Sequence, residues 1–323
     1  FTQPNPENSF SPIEVLLQGV NELGEISLNL DIPVGDYSVG IKEDFYFTNT
    51  SLTVVAPTPA MQSSGGGGGA PAIVHHNLDA KKAMQFLIAN QNEDGSLGSA
   101  IFLNDWAAIA FGAYGKESPA RKKLEEWMAN NPILPESLLT DYERRAMALM
   151  SLGINPFDGT SVNYIMSILQ EFDGEQFGNP NLVNDDIFAA IVLKKAGYDE
   201  SEAPLLQTLS SIYSLQQENG SFGSVDLSAA AIQMLSLLSP SSKRDEALER
   251  AGEYLLSRQE SSGGFSNTYS TSWALQAILA LGDSWETDPR TSEHFLALSQ
   301  NTDGGLLMGE SVENRIWSTA YAI

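Results

Sequence analysis

At 323 residues, 42% of them hydrophobic, the chain is long enough for one large domain or two smaller ones around a substantial core. Its 17 Lys and Arg against 41 Asp and Glu leave a formal net charge of −24, which repels phosphate backbones and anionic lipid heads and argues against nucleic-acid and membrane-surface roles. With no Cys there are no disulfides, no thiolate catalysis and no Cys-ligated zinc; three His leave imidazole chemistry few places, and no apolar run approaches the ~20 residues of a membrane span.

The first ten residues, FTQPNPENSF, are polar and proline-punctuated and read as an arm. Between residues 12 and 55, IEVLLQ, EISLNLDI, YSVGI, FYF and SLTVV are short alternating or β-branched runs separated by turn residues, which predicts five strands in a small β-sandwich-like module. A Pro- and Ala-flanked run of five glycines follows and behaves as flexible coil. The expected organisation is a β-module with its N-terminal arm over 1–57, a linker over 58–78, and a helical domain over 79–323. The chain begins at Phe1 without Met, which suits an exported protein whose leader has been removed.

From about residue 79 the period changes. A Gln-x-x-x-Gly signal recurs at Gln91–Gly95, Gln170–Gly174, Gln216–Gly220, Gln259–Gly263 and Gln300–Gly304, at intervals of 79, 46, 43 and 41 residues. The first interval is close to twice the others, so a degenerate copy is expected near Asn130 and Asn131, where NNPILPES replaces the glycine turn. Six repeating units result, the signature of a repeat architecture. Each unit begins with an amphipathic helix: ALERAGEYLLSRQ puts Ala247, Leu248, Ala251, Tyr254 and Leu255 on one stripe and Glu249, Arg250 and Glu253 elsewhere. A glycine turn leads into a second helix that is apolar nearly all round, such as DDIFAAIVLKKAG or STSWALQAILALG, and helices without a polar face are buried ones. Six outer amphipathic helices alternating with six buried helices predict a closed α/α barrel, its inner ring tightened by Ala107, Ala108, Ala189, Ala190, Ala229, Ala230 and Ala274. The last predicted helix stops at Ile323, so either a shortened helix closes the ring or the chain continues, to a surface anchor for example.

The Gln-x-x-x-Gly-(Ser/Gly)-(Phe/Leu) turns between helices resemble the repeats of the squalene-cyclase and protein-prenyltransferase superfamily, over roughly residues 79–323. The resemblance implies a mainly α protein with an α/α toroid of six helical hairpins, and a non-catalytic bacterial-type member. The prenyltransferase zinc site of Asp, Cys and His cannot exist without Cys, and the complement-type Cys-Gly-Glu-Gln thioester is absent. Class II terpene cyclases protonate substrate with Asp-x-Asp-Asp at the start of an inner helix. The nearest match is Val183-Asn184-Asp185-Asp186, where Asp185 falls at the position of that family's proton donor and Val183 replaces the first aspartate.

Asp105, Asp141, Asp185, Asp186 and Asp226 stand at or near the predicted inner-helix starts, where carboxylates cap free amides. In a closed toroid these starts surround one mouth, so a carboxylate rim is expected there, suited to a polar ligand or to Ca²⁺, although the spacing is not that of an EF-hand. Trp106, Phe188, Trp273 and Trp317, with Tyr142 in a fifth helix, are expected to ring the lumen and to meet an apolar or glycan ligand, the same residues also suiting a plain core. No other cofactor and no metal site is implied. The reading as a whole is an exported or cell-surface binding or structural protein that takes an unidentified small molecule or protein at the toroid mouth. It binds no nucleic acid, inserts no segment into a membrane, and self-assembles through its β-module. The alternatives are a class II terpene-cyclase-like enzyme protonating an isoprenoid through Asp185 and Asp186, and a cobalamin-carrier-like ligand-binding protein.

Overall fold

A computed structural model describes residues 2–4, 10–12, 35–43, 46–54, 76–282, 291–307 and 309–323. The chain divides into two units, Phe1–Pro71 and Ala72–Ile323. In the first, β1 (Thr2–Pro4), β2 (Phe10–Pro12), β3 (Gly35–Glu43) and β4 (Tyr46–Val54) form one antiparallel sheet in the order β2-β1-β3-β4. The expected arm therefore supplies β1 and the first residue of β2. The runs FYF and SLTVV belong to a single strand, because Thr48 and Thr50 between them carry the β-branched content onward and the pairing runs unbroken from Glu43–Tyr46 to Gly35–Val54. The runs IEVLLQ and EISLNLDI lie outside the described residues, and among the described residues there is one sheet where a sandwich was expected.

The second unit holds twelve helices among its described residues. The outer six are α1 (Ala80–Ala89), α3 (Pro119–Asn130), α5 (Tyr164–Gln170), α7 (Ala203–Leu215), α9 (Ser242–Arg258) and α11 (Ser292–Ser299). The inner six are α2 (Ile101–Tyr114), α4 (Leu139–Ser151), α6 (Val183–Lys195), α8 (Val225–Ser236), α10 (Thr268–Leu281) and α12 (Val312–Ala322). Each inner helix packs on the next, and α12 packs back on α2, so the ring closes; each outer helix lies against inner ones. The alanines named above are all fully or nearly fully buried, which lets neighbouring inner helices approach closely.

The repeated glutamine is what joins one hairpin to the next. Gln91 Nε2 donates to the Gly95 carbonyl of its own turn at 2.9 Å and to the Ala120 carbonyl in α3 at 2.8 Å. Gln216 does the same with Gly220 and Ala247 of α9, and Gln259 with Gly263 and the Ser292 hydroxyl of α11. Gln300 ties the last unit to the first: its Nε2 donates to Gly304 and to the Asp79 carbonyl, while its Oε1 accepts the Asp79 amide at 2.9 Å. The glycine is required at the same joint. Gly304 has φ +94°, and a Cβ there would stand 2.1 Å from the Lys82 carbonyl oxygen in α1; at Gly220 it would stand 2.2 Å from that of Arg250 in α9. Ring closure gains further bonds from Glu313 to the Ser99 amide and hydroxyl, both 2.7 Å, and from the His76 amide to His294 Nδ1 at 3.0 Å.

Two units depart from the pattern. In the degenerate second turn the Asn131 carbonyl accepts from Arg145 Nη1 at 2.8 Å, and the Ile133 amide donates to the Tyr164 hydroxyl of α5 at 3.3 Å. In the third, Gln170 is exposed, and the link to α7 runs from the Ser211 hydroxyl to Gln176 Oε1 at 3.3 Å. Replacing Gln300 with Leu removes three bonds at the ring closure and is expected to cost roughly 2–3 kcal/mol in urea unfolding. Replacing the exposed Gln170 is expected to cost under about 0.5 kcal/mol. Equal losses would show that the motif does not act as a joint.

Candidate functional site in the toroid lumen

The inner helices present stripes at helical spacing to the ring centre: Phe102, Trp106 and Ile109 from α2; Phe188 and Ile191 from α6; Tyr269, Trp273 and Gln276 from α10; Trp317 and Tyr321 from α12. Helices two apart in the ring meet only across the lumen, and their aromatic rings do meet. Trp106 lies edge-on to Trp273 with centroids 5.7 Å apart, and Phe188 to Trp273 at 5.9 Å. Trp106 meets Tyr321 at 4.7 Å, and Trp317 is bracketed by Phe102 at 5.1 Å and Tyr269 at 4.9 Å. All but the tilted Tyr269–Trp317 pair are edge-to-face, a favourable geometry for aromatic pairs. Beyond this cluster, toward the C-terminal ends of the inner helices, lies a cavity of about 800 Å³. Ile109, Met147, Met150 and Ile191 wall it, Phe188 and Trp273 border it on the aromatic side, and Lys195, Gln233 and Gln276 are among its polar groups.

The expected aromatic ring is thus present through Trp106, Phe188, Trp273 and Trp317, but Tyr142 is not part of it. Its hydroxyl donates to the Leu134 carbonyl at 2.8 Å, it packs against Tyr164, and it lines a separate cavity of about 380 Å³ beside α5. Phe102, Tyr269 and Tyr321 were missed, though each stands four residues from a singled-out tryptophan on the same helix, the spacing that shares a face. Burial raises the hydroxyl pKa of Tyr321; burial, with Glu310 nearby, pushes Tyr269 up to about 12.

The expected carboxylate rim is not formed, because each aspartate is committed to another role. Asp105 is fully buried one turn into α2 and is paired with Arg145 Nε and, at 3.3 Å, with Arg144 Nε of α4, so it neither caps nor faces a mouth. Of the five, Asp141 alone caps its helix: it accepts the Leu138 amide at 3.1 Å and pairs with Arg144. Asp226 stands near Ser270 of α10 and Tyr321, its carboxyl pKa raised by burial and lowered again by a Ser270 hydrogen bond. Among the described residues no group of three or more His, Cys, Asp or Glu is arranged to hold a metal ion.

Asp185 and Asp186 hold the glycine turn ahead of α6. Asp186 Oδ1 accepts the Phe177 amide at 2.8 Å, and Asp185 Oδ2 accepts the Asn179 amide at 3.0 Å. The Asp186 bond is one of a repeating set. The turn amides of Leu97, Phe222, Phe265 and Leu306 are likewise accepted by Asn104, Ser228, Thr271 and Thr319 at 2.6, 2.9, 2.8 and 3.0 Å. Burial raises both acids, Asp186 to about 6, and the amide bonds offset part of that rise. Beside them on α4 sits Glu143, which sequence reasoning missed. It is fully buried, and neither carboxyl oxygen has a hydrogen-bond partner. Burial first, then the charges of Asp185 and Asp186, hold it well above the usual carboxylate range.

No family model and no curated protein matches the sequence. Solved structures do match. Type II terpene cyclase MstE from Scytonema, bound to its substrate geranylgeranyl dihydroxybenzoate, superposes with a TM-score of 0.57 at 11% identity, covering 75% of this chain and 94% of that one. Its apo form gives 0.57 at 12% identity with the same coverage. The toroid shares the type II terpene cyclase fold. That is the squalene-cyclase-like toroid expected from the repeated turns, and at this identity it is the fold alone that is shared.

Because the folded-state pKa of Glu143 is raised, its contribution to stability is present below the unfolded value near 4.5 and is lost as pH rises. Glu143→Gln is expected to gain in stability on the wild type as pH rises from 4.5 to 8, because burial penalises the carboxylate and not the amide. Thermal melts across that range check it; a pH-independent difference would show that the buried carboxyl does not titrate with folding.

Proposed function

We propose that the toroid binds an elongated, largely apolar ligand of the isoprenoid class in its lumen, and acts by binding it. The observation that carries this reading is the cavity of about 800 Å³, walled by Ile109, Met147, Met150 and Ile191 and bordered by Phe188 and Trp273. Its volume lies within the 300–1,000 Å³ typical of sites that enclose small molecules. A structural neighbour that holds a geranylgeranyl compound supports the ligand class.

A second reading, cyclisation started by a proton from Asp185 or Asp186, is favoured by the shared fold and by the Asp186 pKa raised to about 6. Against it, both carboxylates accept turn amides, and neither lines the cavity. Asp186 also occupies the place that Asn104, Ser228 and Thr271 fill in other units, a role that needs an acceptor and no acid.

Titration with geranylgeraniol, followed by tryptophan fluorescence, is expected to be saturable because Trp273 borders the cavity. Met150→Trp, which fills the cavity, is expected to weaken binding tenfold or more, and the ligand is expected to be recovered unchanged by mass spectrometry and chromatography. Absence of binding would overturn the reading. Conversion to a cyclised isomer, lost in Asp186→Asn, would establish the second reading instead.

A further inference from the structure

Two donors at the cavity lack partners. On α6, Lys194 Nζ is bonded to Glu200 at 2.9 Å, whereas the adjacent Lys195 has no carboxylate within ion-pair distance among the described residues, in a chain whose net charge is −24. Among the described residues, Lys195 is the only charged side chain lining the cavity. Across the seam on α8, Gln233 also lines the cavity, and its Nε2 is buried without a hydrogen-bond partner. A buried donor left unmatched costs about 1–3 kcal/mol, a cost that an arriving acceptor relieves.

The basic pair is also unusual in its place. α6 carries Lys194 and Lys195 in its last turn, and α2, α4, α8, α10 and α12 carry no basic residue there. A cation complements the negative end of a helix, but Lys194 already stands there. Lys195 adds a second positive charge at the edge of an apolar cavity, beside an unmatched amide donor. Ile109, Met147, Met150 and Ile191 offer no hydrogen bond; Ser151, Asn155, Ser236 and Gln276 also line the cavity, but Lys195 brings the charge and Gln233 the buried unmatched donor.

We propose that the lumen ligand is a long-chain amphiphile with an anionic, oxygen-bearing head, the chain seated against the aromatic cluster and the head met by Lys195 Nζ and Gln233 Nε2. The proposal rests on the lumen reading above and adds the head group. A charged acceptor takes a hydrogen bond roughly twice as strong as a neutral one, so the head sets preference while the apolar wall supplies sequence-independent affinity for the chain.

Geranylgeraniol and geranylgeranyl monophosphate share a chain and differ at the head. In fluorescence titrations of the full chain below their micelle concentrations, the monophosphate is expected to bind at least tenfold more tightly than the alcohol. Lys195→Met, at an exposed position, is expected to bring that ratio close to one. Gln233→Leu is expected to weaken both ligands with no loss of thermal stability, since it removes the unmatched donor. Raising salt is expected to lower the ratio. If the alcohol binds and the monophosphate binds no better, or if Lys195→Met leaves the ratio intact, the head-group assignment is overturned and the lumen reading stands. If neither compound binds, the lumen reading itself is overturned.

Discussion

In four of the six hairpins a single glutamine amide, Gln91, Gln216, Gln259 or Gln300, joins one unit to the next, and the rest of the structure depends on this joint. A glutamine at the end of an outer helix is anchored by its own glycine turn and reaches the N-terminal part of the next outer helix, as Gln216 does between Gly220 and Ala247. The glycine is part of the same contact, since a side chain at Gly220 or Gly304 would collide with the backbone of the neighbouring hairpin. Local turn conformation and spacing between hairpins are thereby fixed together. Repeated around the ring, this joint brings the last unit onto the first through Gln300 and Asp79. A repeat array without such closure would leave its terminal units exposed and in need of caps.

Closure also creates the lumen. Stripes of α2, α6, α10 and α12 that would face solvent in an open array converge on one axis, where Trp106, Trp273, Phe188 and Tyr321 contact one another across the ring. The interior is divided by level: aromatic rings fill one part, and the cavity opens beyond them. Acidic residues that sequence spacing places near helix starts are used by the frame. Asp105 is neutralised by Arg145 and Arg144 between α2 and α4, and Asp185 and Asp186 hold the turn before α6. A shared fold with terpene cyclases therefore coexists with a carboxylate pair engaged in turn geometry.

The architecture was legible in the sequence because its period is long, repeated and chemically specific. Gln-x-x-x-Gly in near-register, followed by an apolar helix, specifies both the hairpin and its joint, and even the degenerate second unit is located by its interval. The limit of that reading is visible at Gln170, which matches the motif and yet is exposed, because its turn is longer and Gln176 makes the link instead. Half of the lumen was legible too: the tryptophans were, but Phe102, Tyr269 and Tyr321 required the i, i+4 geometry to be carried through. Tyr142 was misplaced because α4 turns it toward Leu134. Asp141 caps as expected, but Asp105, Asp185 and Asp186 do not, because their inner helices begin earlier than the acidic residues, α2 at Ile101 and α6 at Val183. Glu143 and Gln233 carry no sequence signal: their isolation is a tertiary property, set by which neighbours the ring brings beside them.

The joint between the sixth unit and the first is as firm as the core it closes. Native-state hydrogen exchange at the Asp79 amide, which is bonded to Gln300 Oε1, tests this most directly. The amide is expected to exchange only through global unfolding, with the same opening free energy as amides of buried inner-helix residues such as Leu149. Exchange through a local opening several kcal/mol below that value would contradict the account, showing a ring that is closed in geometry but not held closed by its joint.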